Sequence, residues 1–151
     1  MPRRFTSLSL AIAIASLGIL ALASTASANH FSTFTTTLSG DEEAPGPGDP
    51  NGKGLATLDV YNAGLVCYTI KVQAIETPTA AHVHEAPAGV AGPVVVDLRI
   101  DLAERTGNRL TYCANATEEV AADIRANPAD YYVNVHNPTY PGGAIRGQLG
   151  D

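Results

Sequence analysis

The sequence predicts an all-β protein, an antiparallel sandwich of short strands with one short helix, and three observations carry that prediction. Apolar and polar residues alternate with period two through several runs, the spacing of strands with one buried face. Clusters of Gly, Pro, Asn and Asp separate those runs every dozen or so residues. Only one stretch has the spacing and end signals of a helix.

The first residues stand apart from this pattern. Arg3 and Arg4 form a basic start, Leu8 to Ala23 is apolar, and Ala26-Ser27-Ala28 fits a small-residue cleavage site. Residues 1–28 therefore read as a secretory signal peptide and residues 29–151 as a single mature domain. No second apolar run reaches spanning length, so no membrane span is expected, and the mature chain is expected to be secreted, extracellular or periplasmic. Residues 1–28 carry two arginines and no acid, so the formal charge moves from −6 for the whole chain to −8 for the mature one. An acidic chain without a basic run argues against nucleic acid and anionic membrane surfaces as partners.

The strands follow in order. Phe31 to Ser39, rich in Thr and Phe, reads as a first or edge strand. Gly40 to Gly54 reads as a loop, dense in proline and glycine, with acids at Asp41, Glu42 and Glu43 and a turn at Asp49-Pro50-Asn51-Gly52. Its acids lack the regular spacing of a calcium loop. Leu55 to Tyr61 and Leu65 to Ala74 alternate on either side of Asn62-Ala63-Gly64 and form a hairpin, with Val66, Tyr68, Ile70 and Val72 on the buried face. Ala80 to Glu85 is a strand carrying His82 and His84, and Pro93 to Ile100 carries a β-branched run, Val94-Val95-Val96, that suits a central strand. Arg109 to Cys113 is short. Ala116 to Ala126 is the helix, with Asn115 and Glu118 at capping-box spacing and Asn127-Pro128 as its stop. Tyr131 to His136 and Ala144 to Leu149 close the chain across the Tyr140-Pro141-Gly142-Gly143 turn.

Two features carry chemistry. Cys67 and Cys113 are the only cysteines, and in an exported chain an even pair most simply forms one disulfide. His82 and His84, at i and i+2 on a strand, point to the same side about 7 Å apart, close enough for both imidazoles to reach one metal ion. His136 ends a second strand and completes a three-histidine site if the two strands meet. Three neutral imidazoles suit Cu(II), Zn(II) or Ni(II), with copper favoured on affinity and zinc second. The same histidines also suit ordinary half-buried packing. Tyr132 and Asn134 share a strand face with His136 and, with Tyr140, could support the ligands. Arg146 is the candidate for a catalytic positive charge beside an open, anion-accepting position. Asn115-Ala116-Thr117 matches a glycosylation sequon, relevant only in a eukaryotic secretory pathway.

Two blocks resemble a known family. Ala80-Ala81-His82-Val83-His84 followed by Gly89-x-x-Gly92-Pro93-Val94, and Tyr132 to Gln148-Leu149 through Asn137-Pro138-x-Tyr140-Pro141-Gly142-Gly143, resemble the CHRD domain of chordin and of many exported bacterial proteins. Leu38 to Pro45 resembles its opening block. The resemblance spans about Phe31 to Leu149 and implies an immunoglobulin-like Greek-key sandwich, distantly similar to copper–zinc superoxide dismutase. It brings no settled activity. His82-Val83-His84 is similar to the strand that gives that enzyme two copper ligands, Val135-His136 to the strand that gives a third, and Arg146 to the arginine that guides superoxide. No residue matches the histidine bridging copper and zinc, and the remaining histidine, His30, lies far away in sequence. Three functions stay open: a copper-binding module, a metal-free interaction or adhesion module, and a mononuclear copper enzyme acting on superoxide.

Overall fold

The computed structural model describes residues 30–150, so the signal-peptide reading of residues 1–28 falls outside the described residues. Nine strands form in chain order: β1 Phe31–Ser39, β2 Lys53–Tyr61, β3 Leu65–Gln73, β4 Ala80–Glu85, β5 Val94–Asp97, β6 Glu104–Thr106, β7 Arg109–Asn115, β8 Tyr131–His136 and β9 Ile145–Gln148. Among the described residues the one α-helix, α1, spans Glu118–Ala126.

All strand pairs are antiparallel, in the order β5-β4-β8-β9-β1-β2-β3-β7-β6. The β1–β9 junction is one bridge, Ser39 opposite Arg146, so the sheet is hinged there into two leaves. β5 returns against β7, which closes the curl and makes the sandwich expected from the alternation. The chain leaves the first leaf after β3, returns as β7 beside β3, and leaves again through α1 to place β8 beside β4. This interlocked crossing is of the Greek-key kind.

Period-two alternation decides which residues enter the core. Ala56, Leu58 and Val60 of β2 and Val66, Tyr68, Ile70 and Val72 of β3 are buried, as are Ala81 and Val83 of β4 and Val133 and Val135 of β8. Ala121 and Ile124 of α1 join this core, and Ala116 N donates to Gly64 O at 2.7 Å, which ties the helix start to the β2–β3 turn. The expected helix cap is corrected by two residues: Thr117, not Asn115, occupies the cap, its Oγ1 accepting from Val120 N at 3.1 Å. Asn115 is instead the last residue of β7.

The strand expected through Ile100 in a central position is cut short at Asp97 and lies at the end of the strand order, paired with β4 alone. Asp97 Oδ1 accepts Arg99 N at 2.9 Å and Arg99 turns to a φ of 48°, a side-chain-mimicked turn that ends the ladder. β6, fully exposed and without apolar alternation, has no counterpart in the sequence reading. Cys67 and Cys113 face each other across β3 and β7 with their sulfurs 2.08 Å apart, the disulfide expected for the pair. Among the described residues no helix is long and apolar enough to cross a membrane.

Candidate metal centre

The leaf made by β4, β8 and β9 has one apolar face and one polar face. Val83, Val133, Val135 and Ile145 point into the core; His82, His84, Tyr132, Asn134, His136, Arg146 and Gln148 alternate with them and point outward. Most of that outward set is nevertheless buried, because the segments 86–93 and 137–144 fold over it. Buried polar groups persist only when they are hydrogen-bonded or ligated, so each partner matters.

β4 and β8 are direct neighbours, with Ala80 opposite His136, His82 opposite Asn134 and His84 opposite Tyr132. This register brings the three histidines together, with ligand atoms all within 4.8 Å of one another. The condition that the sequence left open, that the two strands meet, is satisfied. His30 lies at the start of β1, where its carbonyl accepts from Asn62 N, and is not in the cluster.

Backbone carbonyls fix two of the three rings. His84 Nδ1 donates to Gly92 O at 2.8 Å and His136 Nδ1 donates to Pro141 O at 3.0 Å. A carbonyl only accepts, so both rings carry a proton on Nδ1, and Nε2 is the nitrogen left to act as a ligand. His136 Nε2 faces His82 Nδ1 at 3.0 Å, so His82 donates there. His84 is 9 % exposed and its Nε2 is buried with no hydrogen-bond partner. A lone pair held in that condition by a fixed tautomer suits a metal ligand, and the carbonyl behind each ring is the partner that metal-binding histidines ordinarily have.

Burial lowers the pKa of His82 below 6.5, helped by the neighbouring His136 and His84 rings and opposed by Asp97. Burial also lowers that of His136, with the Pro141 carbonyl opposing. Both rings are therefore neutral at neutral pH, as ligation requires. Because their folded pKa values are depressed, the folded state holds fewer protons than the unfolded one just below pH 6.5. The stability these neutral rings contribute is present above 6.5 and lost as pH falls through the folded values. The metal-free chain should lose thermal stability on acidification below that point, and His82→Gln/His136→Gln should flatten this limb of the Tm–pH curve; an unchanged limb would assign the acid sensitivity elsewhere.

Behind the histidines lies a layered support. The His84 ring stacks on Tyr132, with centroids 4.8 Å apart and planes 7° from parallel, and the Arg146 guanidinium carbon lies 3.3 Å from the Tyr132 centroid. Arg146 is 1 % exposed. Its Nη1 donates to Val90 O at 2.8 Å and its Nη2 to Pro87 O at 3.0 Å and Gln148 Oε1 at 3.3 Å. Gln148 Nε2 donates to Ala86 O and Ala129 O. Gly92 N donates to Tyr132 Oη at 3.2 Å. Gly92 has no room for a side chain, since a Cβ would stand 2.0 Å from Glu85 O.

Arg146, expected to offer charge to an incoming anion, thus directs its donors to the carbonyls of the covering loop. Tyr132 lies between it and His84. Tyr140 enters through its backbone, its N donating to Asn137 Oδ1 and its O accepting from Gly143 N. Gln148 and Gly92, named in the sequence only as parts of the family blocks, and Glu43, named only as one of three loop acids, also belong to this layer. The available signal for Gln148 was its place on the Arg146 face of β9.

The sequence model of the CHRD domain matches residues 34–149. Neither the curated proteins nor the solved structures contain a match to the chain.

Proposed function

The chain belongs to the CHRD domain family, and from that premise we propose that it is an exported module that binds one metal ion, copper before zinc, through His82, His84 and His136. The single observation that carries this reading is the buried, partnerless His84 Nε2 in a cluster of three imidazoles, two of which are oriented by backbone carbonyls and the third by the His136 ring. A packing role would leave that nitrogen desolvated at a cost of about 1–3 kcal/mol with nothing in return. Three protein nitrogens leave a further position for an exchangeable ligand. Copper held there would supply Lewis acidity and one-electron redox capacity. The chain's own residues hold the rings, exclude water from the His84 side and keep His82 and His136 deprotonated.

Binding is favoured over superoxide turnover by the placement of Arg146. With Nη1 and Nη2 donating to the Val90 and Pro87 carbonyls and its face stacked on Tyr132, the guanidinium is committed to the covering loop, which weighs against its serving as an electrostatic guide for an anion. Export is supported by the disulfide and by the basic-apolar-small pattern of residues 1–28.

The test is a Cu(II) titration of the metal-stripped mature chain with paramagnetic resonance detection. One equivalent bound, with nitrogen hyperfine structure that His136→Ala removes, is expected. No saturable uptake would return the histidines to packing roles and favour the metal-free interaction module.

A further inference from the structure

Of the three consecutive acids, Asp41 and Glu42 are exposed, whereas Glu43 is drawn inward. Two glycines make its seat: a Cβ at Gly143 would stand 2.6 Å from Glu43 Oε1, and one at Gly48 would stand 2.7 Å from Glu43 Cγ. Gly143 also has a φ of 142°, which disfavours any other residue there. So seated, the carboxyl meets the Asn134 side chain, and Arg146 is the charge that acts on it. Glu43 Oε1 and Asn134 Oδ1 are both buried and partnerless. Asn134 stands on the outward face of β8, two residues from His136, opposite His82 on β4 and opposite Arg146 on β9.

A carboxylate only accepts, so a Glu43 carboxylate beside Asn134 favours the amide turned with its NH2 toward Glu43 and its oxygen away. We propose that Glu43 is a positioning residue for the metal centre: it fixes the Asn134 amide so that Oδ1 is the hydrogen-bond acceptor for a proton-bearing exchangeable ligand, water foremost, beside His82 and His136. This rests on the three-histidine reading and adds a ligand preference to it. Aprotic anions gain nothing from Oδ1, while a donor satisfies an oxygen that is otherwise buried alone.

The device responds to pH. Burial raises the Glu43 pKa to about 7, against the opposing Arg146 charge and the Asn134 hydrogen bond. Tyr140 is the other titratable side chain lining the pocket of about 360 Å³ that Glu43 borders. A protonated Glu43 releases the constraint on the amide, because it can donate as well as accept.

Three measurements test this. In the metal-free chain the Asn134 side-chain amide resonances should shift as pH crosses about 7, in wild type and in His82→Gln/His136→Gln, but not in Glu43→Gln. In the copper-loaded chain the resonance spectrum should change across the same pH in wild type and stay constant in Glu43→Gln at equal stoichiometry. Azide should bind copper-loaded Asn134→Ala more tightly than wild type. A shift that persists in Glu43→Gln, superimposable copper spectra of the two proteins at every pH, or equal azide affinities would each overturn the inference while leaving the metal site standing. Failure of the wild-type chain to take up copper would instead overturn the metal reading, and the role of Asn134 with it.

Discussion

Replacing Arg146 by alanine should destabilise the domain by about 3–5 kcal/mol, one of the largest losses available to a single substitution here. The variant would strip the donor from Val90 O, leave Pro87 O with Val90 N alone and leave Gln148 Oε1 short of a partner. Each buried acceptor left bare costs about 1–3 kcal/mol. The guanidinium packed on Tyr132 is lost as well, and with it the far side of the stack that holds His84. Arg146→Lys should recover only part of the loss, because an ammonium cannot present a planar fork to two carbonyls while lying flat on a ring. Denaturant unfolding followed by tyrosine fluorescence reads the effect directly. A stable Arg146→Ala domain with unaltered copper affinity would show that the residue supports neither the loop nor the site, and would restore the case for a charge that serves an incoming anion.

What sequence could and could not reveal about this leaf follows from the range of the interactions. Alternation in Ala80–Glu85 and Tyr131–His136 is local, and it placed His82, His84 and His136 on common faces without any knowledge of partners. The Greek-key crossing that makes β4 and β8 neighbours is a property of the whole topology, so the meeting of the three rings was a condition rather than a deduction. Arg146 was legible as a positive charge on the last strand. Its burial depends on the loop of residues 86–93, whose carbonyls carry no sequence signature. Glu43 illustrates the same limit from the other side: in a run of three acids nothing local distinguishes it, and only the bare Cα atoms of Gly48 and Gly143 draw it in. The shorter fifth strand and the shifted helix cap have a common cause. Asp97 and Thr117 side chains capture nearby backbone N–H groups, a competition that period-counting ignores.

Metal binding should appear as stability, and the expected size is large. The ligands come from β4 and β8, and His84 and His136 are also tethered to the covering segments through Gly92 O and Pro141 O. The intact cluster exists only in the folded chain, so occupancy adds RT ln(1 + [L]/Kd), about 2.7 kcal/mol at a hundredfold excess over Kd and about 4.1 kcal/mol at a thousandfold. For a domain of this size that raises Tm by something on the order of 10 °C. The His82-Val83-His84 segment retains some affinity when unfolded, which trims the gain without removing it. Copper should exceed zinc in the shift. His84→Ala should abolish it, whereas His30→Ala, at the far end of β1, should leave it intact. The pair of variants separates a folded three-nitrogen site from loose capture by any surface imidazole, since loose capture would be as sensitive to His30 as to His84. Thermal scans of the apo chain with copper, zinc and calcium would decide it: equal and negligible shifts for all three ions would leave the buried Nε2 of His84 as an uncompensated defect and remove the physical basis for a metal module.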